Sequence, residues 1–112
     1  MRSSILKKIP LFASLPQSEI KYLASRLIAF ELPKGHTVFH EGSQEEGFYI
    51  LLQGEVEIFK SIGSADERSL GVRRAVSLLG EMSLFNREGH RSATVLALTD
   101  LLLYKMDRAE FD

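Results

Sequence analysis

The sequence contains no cysteine, which excludes disulfide bridges and thiolate metal sites. That absence is compatible with a reducing cytoplasm. Neither sign of charge is in excess: 14 basic and 15 acidic residues are well mixed and leave a net charge of −1. A domain that grips polymeric nucleic acid carries a clear basic surplus, and the pair Arg73-Arg74 does not supply one. Direct nucleic-acid binding by this chain is not expected. Long apolar runs are missing as well. The longest, such as Leu101-Leu102-Leu103-Tyr104, fall far short of the roughly 20 residues of a spanning helix. At the N-terminus, Lys7, Lys8 and Pro10 interrupt any apolar stretch, which argues against a secretory signal. There is no internal repeat and no low-complexity tract.

What is present suits one globular domain. The 112 residues are 45% hydrophobic and 26% charged, enough for a single core. Residues 1–28 read as an N-terminal helical segment. Pro16 fits a first helical position, Glu19 favours the positive end of the helix dipole, and Ile20, Leu23, Ala24, Leu27 and Ile28 recur at helical spacing. Ile9-Pro10-Leu11-Phe12 before them is a short apolar clamp, a turn or a stub of helix.

From residue 29 to 105 the pattern is of short strands. Phe30-Glu31-Leu32, Thr37-Val38-Phe39, Phe48-Tyr49-Ile50-Leu51-Leu52, Glu55-Val56-Glu57-Ile58, Thr94-Val95-Leu96-Ala97 and Leu101-Leu102-Leu103-Tyr104 are separated by turn signals every 8–12 residues or so. Pro33-Lys34-Gly35, Glu41-Gly42-Ser43, Gln53-Gly54 and Thr99-Asp100 mark the turns. The run at 48–52 is apolar throughout, as in a strand covered on both faces, whereas 55–58 alternates. Residues 61–68 read as a flexible loop tip. Residues 106–112 read as the start of a C-terminal helix with Asp107 as N-cap. The expected class is mainly β, a sandwich or barrel with short flanking helices.

One segment breaks the strand pattern: Gly80-Glu81-Met82-Ser83-Leu84-Phe85-Asn86-Arg87-Glu88-Gly89-His90-Arg91-Ser92-Ala93. A helical turn over 81–85 would present unpartnered N–H groups, which favour an anion. Arg91 can be returned to the same point through Gly89, and its planar fork suits two phosphate oxygens. Glu81 would accept a hydrogen bond from a nearby hydroxyl. Together these parts call for a ligand that carries both a phosphate and a free hydroxyl.

This segment resembles the phosphate-binding cassette of cyclic-nucleotide-binding domains, in the glutamate-to-arginine spacing as well as in its residues. The likeness extends to Leu32-Pro33-Lys34-Gly35, Glu41-Gly42, the stretch from Tyr49 to Val56, and Asp107-Arg108-Ala109-Glu110-Phe111. It implies a double-stranded β-helix, a jelly-roll-like β-roll, with the cassette at 80–93 and the C-terminal lid helices largely absent. It also implies a ligand, cAMP or cGMP, without cofactor or catalysis. Glu81 and the Gly80 N–H would hold the ribose 2′-hydroxyl. Arg91 would pair with the cyclic phosphate, helped by backbone N–H groups of Ser83 and Ser92, with Ala93 completing the cassette set. Met82 and Val95, with Leu70 or Val72, would give apolar contact to the sugar or base. A hydroxyl at Ser92 is a feature of cGMP-preferring members, but serine also stands there in bacterial regulators that bind cAMP; the balance falls to cAMP.

Three positions depart from the family's pattern. Val76 and Ser77 stand where many members have Gly-Asp, and His90 stands where many have proline. The end at Asp112 suggests an excised or truncated domain, whose base-capping residue is missing or lies outside this sequence. The resemblance implies a cytoplasmic setting, or the cytoplasmic face of a membrane protein. It leaves open the effector, its partner protein and pairing into a homodimer. Two other readings stand beside it. One is a ligand-free interaction module on the same fold. The other is a cupin-like metal enzyme, against which His36 and His40 would lie about 13 Å apart on one strand and lack the His-x-His pairing.

Overall fold

In the computed structural model, residues 2–44, 47–80 and 91–106 are described. Among the described residues, three short helices precede eight strands: α1 (Arg2–Lys7), α2 (Pro10–Ala13) and α3 (Gln17–Arg26), then β1 (Ile28–Leu32), β2 (Thr37–Phe39), β3 (Phe48–Gln53), β4 (Glu55–Lys60), β5 (Arg68–Arg74), β6 (Ser77–Leu79), β7 (Thr94–Ala97) and β8 (Leu101–Met106). The strands form two four-stranded sheets, ordered β1-β8-β3-β6 and β2-β7-β4-β5, and every pairing is antiparallel. Sequential strands such as β3 and β4 belong to different sheets, so the chain winds around a shared interior. This is the expected β-roll.

Alternation along β3 explains its unbroken hydrophobicity. Phe48 and Ile50 face outward onto Leu6, Ile9, Phe12, Ile20, Leu23, Ala24 and Leu27 of the helical segment, with the Phe12 and Phe48 rings 5.4 Å apart. Tyr49 and Leu51 face inward, onto Leu79, Leu101 and Leu103 of their own sheet and Phe39, Val56, Val95 and Ala97 of the other. Each fully buried Leu, Ile or Phe stabilises the fold by about 1.5–3 kcal/mol. Both faces of β3 are core.

The helical segment differs from expectation at its edges. Pro16 is the N-cap of α3 (φ −58°, ψ 149°) and lies just outside the helix. Leu27 turns extended at the C-cap, so Ile28 opens β1 opposite Lys105 and is 63% exposed. Ile28 therefore leaves the buried face to which helical spacing assigns it. Among the described residues no helix is long and apolar enough to cross a membrane.

The roll has two dissimilar ends. At one, the β3–β4 corner meets the β7–β8 corner: Glu55 N–H donates to Thr99 Oγ1 (3.1 Å) and Leu98 N–H to the Glu55 carbonyl (2.9 Å). At the other end β2, β4 and β6 finish and β3 and β7 begin. That end holds Arg91.

Candidate functional site

Arg91 precedes β7 and turns its side chain into the roll, where the residue is only 3% exposed. Its Nη1 donates to the carbonyls of Gly47 (3.0 Å) and Gly80 (3.1 Å). Its guanidinium carbon lies 4.4 Å from the centroid of the Phe39 ring and 5.8 Å from that of Tyr49. An aromatic face attracts a guanidinium through its quadrupole and more strongly where water is excluded. The two carbonyls use the two hydrogens of Nη1. The opposite edge of the fork, Nε and Nη2, is the pair of parallel donors whose spacing matches two oxygens of a phosphate.

Gly80 makes this seat possible. It follows β6 with φ +78°, and a Cβ placed there would come within 2.5 Å of Arg91 Nη1 and 3.2 Å of the Phe39 ring. Gly80→Ala should therefore lower stability by about 1–3 kcal/mol through left-handed backbone strain and crowding. It should also weaken anion binding, as melting curves and titration of the same protein would show. Through its bond to the Gly80 carbonyl, Arg91 is tied to the residue that follows β6. Glu81, Met82, Ser83 and His90, and the helical turn expected at 81–85, lie outside the described residues, as does the helix start expected at 107–112.

The remaining candidates do not all converge. Ala93 and Val95 are buried, Ser92 is exposed. Val95 sits opposite Ile58, and Ile58 opposite Gly71, on the interior face. Val72 sits opposite Glu57, which pairs with Leu96. Val72 is thus on the outer face, away from Arg91 and Val95, and is 47% exposed. Leu70 falls at the irregularity where Ile58 and Phe59 pair with Gly71 and Ser69, and is 56% exposed. Neither is brought against Arg91, because register and bulge set the faces of β5. Sequence reasoning missed Phe39, Tyr49 and Gly47, whose role depends on contacts between distant strands.

A second polar group stands beside the first. Glu41 Oε1 accepts the Ser61 N–H (2.7 Å), and Glu41 Oε2 lies 3.5 Å from Lys60 Nζ. The Ser61 hydrogen bond chiefly, then the Lys60 charge, holds the Glu41 carboxyl below its ordinary value of 4.5 against the opposing effect of partial burial. Its folded pKa is lowered, so its contribution to stability is full above the ordinary carboxylate range and is lost as pH falls through the depressed value.

Two other features fit an anion poorly. A groove of about 490 Å³ lined by Glu31, Leu32, Pro33, Gln53, Asp100, Leu101 and Leu102 lies at the end of the roll opposite Arg91 and offers carboxylates. His36 and His40 flank β2 and are exposed, and no cluster among the described residues is arranged to hold a metal.

Comparison with known proteins agrees with this geometry. Residues 29–112 match the family model described as "Cyclic nucleotide-binding domain". The chain is 31% identical over 104 residues to the CRP-like cAMP-activated global transcriptional regulator of Mycobacterium tuberculosis, covering 93% of this chain and 46% of that protein. It is 32% identical over 111 residues to the cAMP-dependent protein kinase regulatory subunit of Aspergillus fumigatus, covering 99% of this chain and 26% of that one. The chain thus spans less than half the length of either relative. The solved regulatory domain of Toxoplasma gondii PKA with cAMP superposes with a TM-score of 0.90 at 25% identity, over 98% of this chain and 41% of that one. With the roll, the buried arginine and its glycine in place, the chain belongs to the cyclic nucleotide-binding domain family.

Proposed function

We propose that this domain binds cAMP in preference to cGMP and passes the binding event to an attached or partner effector as a conformational change. The observation that carries the proposal is the seat of Arg91: a guanidinium buried in the roll, fixed by two carbonyls and an aromatic face. A cation so fixed is preorganised for a cyclic phosphate and loses little freedom on binding. In this scheme Glu81 and the Gly80 N–H take the ribose 2′-hydroxyl, and backbone N–H groups of Ser83, Ser92 and Ala93 surround the phosphate. Met82 and Val95 supply apolar contact. Relatives whose names refer to cAMP support the choice of nucleotide. No bond is made or broken, and no cofactor takes part. A cytoplasmic setting suits such a ligand.

Signalling follows from linkage. The nucleotide shifts an effector only by its difference in affinity for two states, typically about 1–3 kcal/mol. The ribose assignment has a direct test in Glu81→Gln. This change should weaken cAMP roughly 10-fold or more, as expected for a hydrogen bond to a charged group, while a 2′-deoxy analogue is little affected. Equal losses for both ligands would remove Glu81 from the ribose site.

A further inference from the structure

Three separate segments meet around the backbone of Arg91. Gly42 N–H donates to the Arg91 carbonyl (2.8 Å) and Arg91 N–H donates to the Ser43 carbonyl (3.0 Å). Glu41 N–H donates to Thr94 Oγ1 (2.9 Å). Lys60 Nζ, at the end of β4, donates to the Ser92 carbonyl and lies beside Glu41. Both backbone groups of Arg91 and the carbonyl that follows are thereby held from outside the cassette.

We propose that Glu41 and Lys60 are positioning residues for the anion site, bracing the Arg91–Ser92 backbone so that the guanidinium reaches the ligand in a fixed place. The inference rests on reading Arg91 as the phosphate ligand. Both side chains of the pair are about one-third exposed, and an ion pair that wet adds little to stability by itself. Its consequence lies in where it points. The Ser61 N–H fixes one carboxylate oxygen, the other draws Lys60, and Lys60 fixes the Ser92 carbonyl. Since the peptide unit is planar, holding that carbonyl also sets the orientation of the next N–H, that of Ala93. Neither Glu41 nor Lys60 belongs to segment 80–93.

The test combines affinity, amide exchange and a double-mutant cycle. Lys60→Met should weaken cAMP binding about 5–20-fold with only a small change in melting temperature, because it removes preorganisation. Lys60→Arg should restore most of the loss. Hydrogen exchange at the amides of Arg91 and Gly42 should quicken in Lys60→Met and Glu41→Ala without any ligand present. In an Arg91→Lys background the effect of Lys60→Met should shrink to less than about twofold, since coupled residues are not additive. An undiminished loss in that background would show that Lys60 acts independently of Arg91, and unchanged exchange would remove the brace; either result overturns the proposal. Wild-type protein that binds no cyclic nucleotide would instead overturn the proposed function, with the exchange experiment still deciding whether the brace exists.

Discussion

Arg91→Ala is expected to lower affinity for cyclic nucleotide by about 2–5 kcal/mol, roughly 30- to 4,000-fold at 1.4 kcal/mol per decade. The size of the effect follows from what the change leaves behind. A phosphate would enter the roll without its cation, and the carbonyls of Gly47 and Gly80 would lose the donor that Nη1 supplies. Those carbonyls also make the variant less stable, by about 1–3 kcal/mol, so melting curves must accompany the calorimetry. Arg91→Lys separates charge from shape. An ammonium keeps the positive charge but offers no planar fork, and it should recover only part of the affinity. Affinity unaltered in both variants would contradict the phosphate role of Arg91.

Gly54→Ala should have the largest effect on stability, about 2–5 kcal/mol, by combining backbone strain with overpacking. Gly54 has φ +104°, and an added Cβ would come within 2.6 Å of the Asp100 carbonyl and 2.7 Å of Leu101 Cδ2 and Thr99 Oγ1. Two of these neighbours belong to the β7–β8 turn, whose place is fixed by the Thr99 bond to Glu55. The crowding therefore has no easy release. Gly35→Ala provides the contrast: φ is +90° but the space beside it is open, so only strain remains and the loss should be smaller. Denaturant unfolding of the two variants checks the difference. Because Gly54 lies at the end of the roll away from Arg91, the folded fraction of Gly54→Ala should bind nucleotide normally.

Much of the fold is legible in the residues themselves. The apolar run from Phe48 to Leu52 announces a strand with two covered faces, and both coverings are found. Gly35, Gly42, Gly54 and Gly80 mark corners and all have positive φ. The helical spacing of Ile20, Leu23, Ala24 and Leu27 marks the buried face of the N-terminal segment. Ile28 continues that spacing yet begins a strand, because periodicity alone does not register that Leu27 has turned extended.

The candidate site is legible in Arg91 but not in the parts that hold it. Phe39 and Tyr49 read as ordinary strand residues, and only the folding of β2 against β3 makes them a shelf for a guanidinium. Gly47 acts through a carbonyl, which carries no side-chain signature at all. Glu41 and Lys60 meet only because β2 and β4 end on either side of the start of β7. The placement of Val72 is likewise not legible. Its apolar side chain suggests a ligand contact, but pairing with Glu57 sends it outward. Register decides a face, and a single sequence does not contain it.

Calorimetric titration of the wild-type chain with cAMP, cGMP and 5′-AMP in parallel tests the central claim most directly. Saturable one-to-one binding of cAMP, weaker binding of cGMP and no measurable binding of 5′-AMP are predicted. Heat of binding from none of the three, or from 5′-AMP as strongly as from cAMP, would contradict a cyclic-phosphate site at Arg91.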